Sequence, residues 1–538
     1  MSTSKRDERG FDRAVVGAAT LVAVVATLVA THRGPGTNPD SANYLSAGLS
    51  LAAGRGLTTF GGSTLTIFPP GLPAVIAMGD WVGLGAEWTV RILNSAAFGA
   101  TVLMGHFLLR RHVSRREVVV AGTCLLAVSA PLLTMAEMTW TEPTFIALCL
   151  GLILILEQLL QSESWQRWLP AVVLVVGSAF LFRYAGVSLL VVVGATVLAG
   201  SWSRCGYLGA MRRAAICTAA SAVVPVAWML RNRSIDGTLM GPRSPSVDGP
   251  VETVARFVAT IGRWILPDPA PVVSQFAVGL VVAGCSAFGA YLSLRRYRSS
   301  PDLSGVRNSH RLTALVTFST VYGVYLVAAQ LTTAFDKIGN RLMSPLLPPV
   351  IALVMVGVDR AWTAWEAGLP VAAGLPVAAR RPVVAGHAVR LGLVILVVAH
   401  AGFFAKHAWE SSDEGVGYSS RTWMKSELIR AVDDLPSKAV VYTNAPGGLW
   451  VGTGREPLFQ APPRRAYRSD VVMEVPQEFL RNVNCADVYL AWFSDIPGSF
   501  LYTPEELSTQ VGLDPTSSSS DGTLFRLDPI GGSSSGRC

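Results

Sequence analysis

Apolar runs of about 15 to 22 residues recur along the first 405 positions of this chain, separated by short arginine-bearing segments. A helix of about 20 apolar residues crosses the ~30 Å hydrocarbon layer of a bilayer. Inside that layer every backbone polar group must be satisfied by the chain itself, so runs of this length form helices. Composition agrees, with 51% of residues apolar and 15% charged, where a soluble domain carries about a quarter charged. The chain reads as an all-α polytopic membrane protein. Its first run, Ala14 to Ala30, follows Lys5, Arg6, Arg9 and Arg13. It is long for a signal peptide and no small-residue cleavage site follows it near Thr31 to Asn38, so it is read as a span.

Orientation follows from the basic residues, because Lys and Arg in short loops resist translocation. Arg110-Arg111 with Arg115-Arg116, Arg204 with Arg212-Arg213, Arg295-Arg296 with Arg298, and Arg380-Arg381 all belong in the cytoplasm. Were residues 69–85 a span, the 110–116 cluster would fall outside. That stretch also holds Pro69, Pro70, Pro73, Gly79, Asp80 and Gly83, poor material for a span. Residues 32–88 therefore read as one outer loop with helices lying on the membrane. Eleven spans result, at about 14–31, 89–109, 118–135, 143–160, 168–181, 185–200, 214–230, 271–294, 312–331, 344–358 and 391–406. A cytoplasmic tail (1–13) precedes this 14–410 module, and a cytoplasmic loop (359–390) carries the tandem repeat Gly368 to Ala379.

From about residue 411 the chain turns polar. Tyr418 to Asp434, Gln477 to Val483 and Pro504 to Val511 read as helices, and 438–442, 487–493 and 523–527 as strands. The alternation implies a small extracytoplasmic α/β domain over 411–530, with a flexible stretch at Thr516 to Gly522 and a flexible tail at 531–538. The net charge of +8 is strung through short loops and builds no basic face interleaved with aromatics, so nucleic acid is not a partner. Walker A, G-x-S-x-G and His/Cys metal spacings are absent.

The outer loop opens with Asn38-Pro39-Asp40-Ser41-Ala42-Asn43-Tyr44. Asp40 is a good helix cap, and a carboxylate at a water–lipid boundary also suits chemistry on a half-lipid, half-sugar substrate. Glu137 and Glu142 lie at a turn between two spans, where acids near hydrocarbon are expensive and point to function. Arg183, Arg231, Arg233, Arg243, Lys337 and Arg341 fall on the same outer side. Arginine forks grip phosphate oxygens, and the alternative for each is a side chain snorkelling to the headgroups. Asp40 and Glu142 stand as catalytic candidates; Tyr44, Arg183, Arg243, Lys337 and Arg341 stand as substrate-binding ones.

Taken together, Asp40-Ser41-Ala42-Asn43-Tyr44, Gly54-Arg55-Gly56, Pro69-Pro70-Gly71-Leu72-Pro73, Thr141-Glu142-Pro143, Phe182-Arg183-Tyr184-Ala185-Gly186 and Arg341-Leu342-Met343-Ser344-Pro345 resemble the GT-C superfamily of membrane glycosyltransferases. The likeness is to the glycosyltransferase family 39 type, which includes protein O-mannosyltransferases and lipid A aminoarabinose transferases, and covers roughly residues 14–358. It implies a polyprenyl-phosphate sugar donor, an acceptor glycan, lipid or protein outside the membrane, and Asp40 as the catalytic acidic residue. Phe68 departs from the pattern, since family members often carry a basic residue just before the proline pair. A phosphate contact then has to come from elsewhere, with Lys337 and Arg341 as candidates. Sugar, acceptor and any divalent cation stay open. The competing readings are a lipid or glycan transporter or flippase and a catalytically idle assembly subunit. Cys485 and Cys538, both placed outside, are expected either to pair or to leave a free terminal thiol.

Overall fold

The computed structural model describes residues 2–299, 303–366, 382–465 and 471–530. Helices α1 (Ser2–Ala30), α2 (Pro39–Ala52), α3 (Gly71–Trp81) and α4 (Ala86–His112) are followed by α5 (Arg116–Ala127), α6 (Ala130–Ala136), α7 (Glu142–Gln161), α8 (Leu169–Phe182) and α9 (Ser188–Asp236). Then come α10 (Pro250–Arg263), α11 (Val272–Ser299), α12 (Leu303–Thr332), α13 (Asn340–Met343), α14 (Leu347–Glu366) and α15 (Pro382–Glu414). Among the described residues nine helices are long and apolar enough to cross a membrane, and α5 with α6, bent by 40°, makes a tenth span.

Helix α9 is two spans rather than one rod. Gly206 within it has φ 69° and ψ 174°. A Cβ on Gly194 would lie 2.9 Å from Thr218 Oγ1, whereas a straight helix would separate the two by about 36 Å. The chain therefore folds back at Gly206, and counting both arms brings the bundle to eleven spans, as the apolar runs imply.

The bundle has two unlike ends. At one, Asp12 pairs with Arg110 and Arg116, Arg115 with Glu366, and Arg390 with Glu117. There Asp359 accepts from the backbone N–H groups of Ser114 and Arg115 at 3.1 and 2.9 Å. The other end carries α2 and α3, 14 and 11 residues long and too short to span. They pack through Gly48, where a Cβ would meet Ile76 at 2.7 Å. Asn38, not Asp40, caps α2: its side chain accepts from the Ser41 N–H, and Pro39 opens the first turn. Asp40 is thereby left free to face away from its own helix end.

Behind α15 lies the C-terminal domain, with α16 (Arg421–Met424), α17 (Glu427–Asp433), β1 (Val440–Thr443), α18 (Pro446–Thr453), β2 (Leu458–Gln460), α19 (Gln477–Cys485), β3 (Val488–Phe493), α20 (Pro504–Leu507), β4 (Val511–Ser519) and β5 (Gly522–Pro529). The sheet order is β2-β1-β3-β5-β4, parallel around β1 and antiparallel from β3 onward. Two expectations are corrected here. The single helix over Tyr418–Asp434 is two short ones, because Ser420 and Ser426 each cap a fresh start. Thr516 to Ser519 is strand, held by pairing with β5 and by the Thr516 hydroxyl on Leu524 O at 3.1 Å. The repeat at 368–379, Arg380-Arg381 and the 531–538 tail with Cys538 lie outside the described residues, while Cys485 is disulfide-bonded.

One hydrophobic cluster of this domain, including Leu428, Val441, Leu449 and Phe493, also takes in Ala42 of α2 and Phe60 of the following loop. Phe60 stacks on Trp450 at 5.8 Å, and a Cβ on Gly447 would touch Ala42 Cβ at 3.0 Å. The helix that carries Asp40 is therefore gripped from two sides, by the bundle and by the C-terminal domain.

Candidate active site

Four separate parts of the chain meet around Glu142. Pro143 opens α7 and sets Glu142 in its first turn, fully buried. Glu142 is ion-paired with Arg183, which occupies the extended break after α8 and donates to Thr141 Oγ1 at 3.3 Å, and accepts from Arg341 Nε on α13 at 2.5 Å. The same guanidinium reaches Asp40 Oδ2 at 2.6 Å and Asp336 Oδ2 at 3.5 Å. It also lies 4.3 Å from the Trp140 ring centroid.

Local bonds fix Asp40 relative to Arg341. Trp140 donates its indole N–H to Asn38 Oδ1 at 3.1 Å, the oxygen that caps α2, and the Ser41 hydroxyl bonds Thr139 O at 3.1 Å. Asn94 holds the 136–142 turn through Ala136 O and Met138 O, at 3.0 and 2.7 Å. On the far side, the segment 415–419 clamps the strand leading into α2. Tyr418 N–H donates to Thr37 O at 2.9 Å and the Ser419 hydroxyl to Pro35 O at 2.8 Å. Gly417, at φ +60°, is required for this approach, because a Cβ would lie 2.0 Å from Thr37 O.

Asp40 opens onto a cavity of about 230 Å³ whose walls include Tyr44, Phe68, Arg183, Tyr184, Arg243, Tyr322, Tyr325, Asp336 and Arg341. Tyr184 is locked in the wall, donating to Thr66 O at 2.6 Å and accepting from Asn232 at 2.8 Å. Arg231 braces the same loop through Leu65 O at 2.8 Å, and Arg243 touches Ile67 O at 3.3 Å. The Asp40 side chain keeps 27% of its surface exposed. Burial pushes its carboxyl above the ordinary carboxylate range, with Asp336 and Glu142 adding to the rise and Arg341 opposing it. Burial together with the charge of Asp40 lifts the Tyr418 hydroxyl to about 12.

Of the residues singled out in the sequence, Asp40, Tyr44, Arg183, Arg243 and Arg341 line this one cavity. Glu142 sits behind the two arginines and is not in the wall. Lys337, the other phosphate-contact candidate beside Arg341, does not join it in this wall. It is exposed and outside the wall, because its neighbour Asp336 is the residue of that loop turned toward Arg341. Glu137 is buried against His407 of α15 at 3.0 Å, and Arg233 is exposed. Asn38, Trp140, Asp336, Tyr322 and Tyr325 were not singled out. Asp336, five residues before Arg341, and Trp140, two before Glu142, were the legible signals. Among the described residues no group of three or more His, Cys, Asp or Glu could hold a metal ion.

No family model matches this chain, and no curated protein does. Solved structures do. ArnT from Cupriavidus metallidurans bound to undecaprenyl phosphate superposes with a TM-score of 0.57 at 13% identity, over 96% of this chain and 98% of that one. Its apo form gives 0.59 at 13% identity, over 97% and 98%. The archaeal oligosaccharyltransferase AglB from Archaeoglobus fulgidus, in complex with an inhibitory peptide and a dolichol-phosphate, gives 0.55 at 12% identity, over 90% of this chain and 70% of that one. At such identities the likeness shows the fold alone, an architecture that this chain shares with ArnT over nearly its whole length and with AglB over nine-tenths of it.

Proposed function

We propose that this protein is a membrane glycosyltransferase that moves a sugar from a polyprenyl-phosphate donor to an extracytoplasmic glycan, lipid or protein, with Asp40 as general base. One observation carries the reading: a part-exposed carboxylate faces a cavity walled by tyrosines and by Arg183, Arg243 and Arg341. The likeness to ArnT bound to undecaprenyl phosphate and to AglB with a dolichol-phosphate supports the donor class. Applied to the bundle, the positive-inside rule sets the basic end in the cytoplasm and the cavity on the opposite side.

The chemistry divides cleanly among these groups. A departing phosphate monoester is stable as an anion and needs little acid catalysis, whereas the acceptor hydroxyl is a weak nucleophile and needs a base. Asp40 takes that proton as the hydroxyl oxygen attacks the anomeric carbon and the carbon–oxygen bond to phosphate breaks. A single displacement inverts the anomeric centre. Cations near the leaving group stabilise the charge that develops there.

Charge balance assigns the arginines different roles. Arg341 is already engaged by Asp40, Glu142 and Asp336, and Arg183 by Glu142. Arg243 bonds a backbone carbonyl, so it has N–H donors to spare for the incoming phosphate. Glu142 touches neither substrate nor cavity and acts as a positioning residue for both inner arginines.

Native mass spectrometry of the purified protein titrated with undecaprenyl phosphate tests the donor class. One retained lipid per chain, weakened by Arg243→Gln, is the expected result. No retained polyprenyl phosphate at any lipid-to-protein ratio would overturn it.

A further inference from the structure

Arg341 lines the donor cavity, while Asn340, the residue before it, lines a second one of about 250 Å³. The single turn of α13 thus stands between two cavities. Around the second, Thr134 of α6, Arg263 and Trp264 at the end of α10, Asp268, and Phe403 of α15 supply the wall. Three polar atoms of this wall are buried without a hydrogen-bond partner: Trp264 Nε1, Arg263 Nε and Asn340 Oδ1. Trp264 is only 7% exposed, and Arg263 Nε stands 3.6 Å from Asp268 Oδ2, beyond hydrogen-bond reach. Buried polar groups are nearly always satisfied, so three in one wall call for a ligand or for ordered water.

The donor set selects the ligand class. The wall offers two unpaired N–H donors and an unpaired carbonyl acceptor, beside the Asp268 carboxylate, which already accepts from Gln275, and the Thr134 hydroxyl, which already donates to Ala130 O, in contact with the apolar faces of Trp264, Phe403 and Pro131. An anion would meet Asp268 and Asn340 Oδ1, and an apolar ligand would leave Trp264 Nε1, Arg263 Nε and Asn340 Oδ1 unpaired. Hydroxyl groups both donate and accept, and a sugar ring also has apolar faces for the aromatics. Arg263 is shared with an adjoining groove of about 600 Å³ between α10 and α11, where Ala259, Val272, Val273 and Phe276 form an apolar side and Glu252 and Arg256 a charged one. Val272 and Val273 are 62% and 80% exposed on that apolar side.

We infer that this cavity and groove form a second ligand site, taking the saccharide headgroup of an amphipathic glycoside with its apolar chain along α10 and α11. The site goes beyond the donor reading and does not depend on Asp40 chemistry. Its placement behind α13 means that an occupant bears on the turn holding Arg341.

A photoreactive octyl β-D-glucoside, with a diazirine in its alkyl chain, tests the site on the full-length protein in lipid nanodiscs. The expected outcome is saturable labelling of peptides containing Val272 to Phe276 or Phe403, competed by octyl β-D-glucoside and not by octanol. Trp264→Phe, which keeps a benzene ring but removes the N–H with its five-membered ring, should weaken labelling by at least about three- to tenfold, one hydrogen bond's worth or more. Ala130→Phe, which fills the cavity from α6, should abolish it. If that variant does not fold, Thr134→Val should still weaken labelling. Asp40→Asn should leave labelling unchanged, which separates this site from the donor reading. Competition by octanol as strong as by the glucoside, labelling confined to other peptides, or full labelling in Trp264→Phe would overturn the inference. Ordered water would then account for the cavity.

Discussion

Helix α7 buries a glutamate near each end, and the two differ in what their arginines do next. Glu157 accepts from Arg111 at 2.9 Å and His112 at 2.8 Å, and Arg111 turns back to Leu154 O of the same helix. That network closes on itself at the basic end. Glu142 pairs with Arg183 and Arg341, which stand in a cavity wall, and Arg341 continues to Asp40. Both glutamates are fully buried, so burial of charge does not by itself distinguish scaffold from site. Open volume beside the partner cation does.

The contrast is broken or sharpened most by Asp40→Asn. The amide cannot take the acceptor's proton, so glycosyl transfer should fall about 10²- to 10⁴-fold. Stability should not fall with it. Because burial raises the folded-state pKa of Asp40, the contribution of its protonated form is present at low pH and lost as pH rises through that value. At neutral pH the carboxylate is therefore a burden on the fold, and thermal unfolding of Asp40→Asn should begin no earlier than in the wild type.

Glu142→Gln and Glu157→Gln form the paired test. Glu157→Gln should destabilise by about 3–5 kcal/mol, as when a buried pair loses one partner, and keep turnover per folded molecule. Glu142→Gln should lose turnover per folded molecule as well, by about tenfold or more, since a 1.4 kcal/mol loss of positioning is tenfold in rate. Equal turnover loss in both would erase the distinction between the ends.

A smaller effect is expected where the C-terminal domain clamps the strand before α2. Gly417→Ala forces a Cβ against Thr37 O and a strained backbone, costing about 1–3 kcal/mol. Protease sensitivity of the 411–420 segment should rise, and turnover should drop severalfold. The smallest effect is on pH. As the proposed base Asp40 must be ionised to act, so the acid limb of activity should lie above that of an ordinary aspartate. Asp336→Asn, removing a charge that raises the Asp40 pKa, should shift that limb toward lower pH.

Much of this architecture was legible because lipid imposes strict rules. Apolar runs gave the spans, and Arg204 with Arg212-Arg213 marked a cytoplasmic break between the 185–200 and 214–230 runs, though not Gly206 as the residue where the chain turns. Asp40, Arg183 and Arg341 stood out because charges near hydrocarbon are costly. Their convergence on Glu142 was not legible, since it joins residues 40, 142, 183 and 341 through packing that no local pattern encodes. Lys337 misled for the same reason: in an irregular loop, sequence does not say which of two adjacent side chains turns inward. In the C-terminal domain, Thr516 to Ser519 looked flexible because serine has little strand preference, and only pairing with β5 makes it a strand. Helix α18 is not legible because Pro446-Gly447-Gly448 resembles a turn, yet Gly447 allows its contact with Ala42.

The most direct test of the account is the anomeric configuration of the product, read by NMR after transfer from a polyprenyl-phosphate sugar of known configuration by the wild-type protein. One carboxylate base at the cavity and one displacement predict an inverted centre. A retained configuration would require a covalent intermediate or a different nucleophile and would contradict the role given to Asp40.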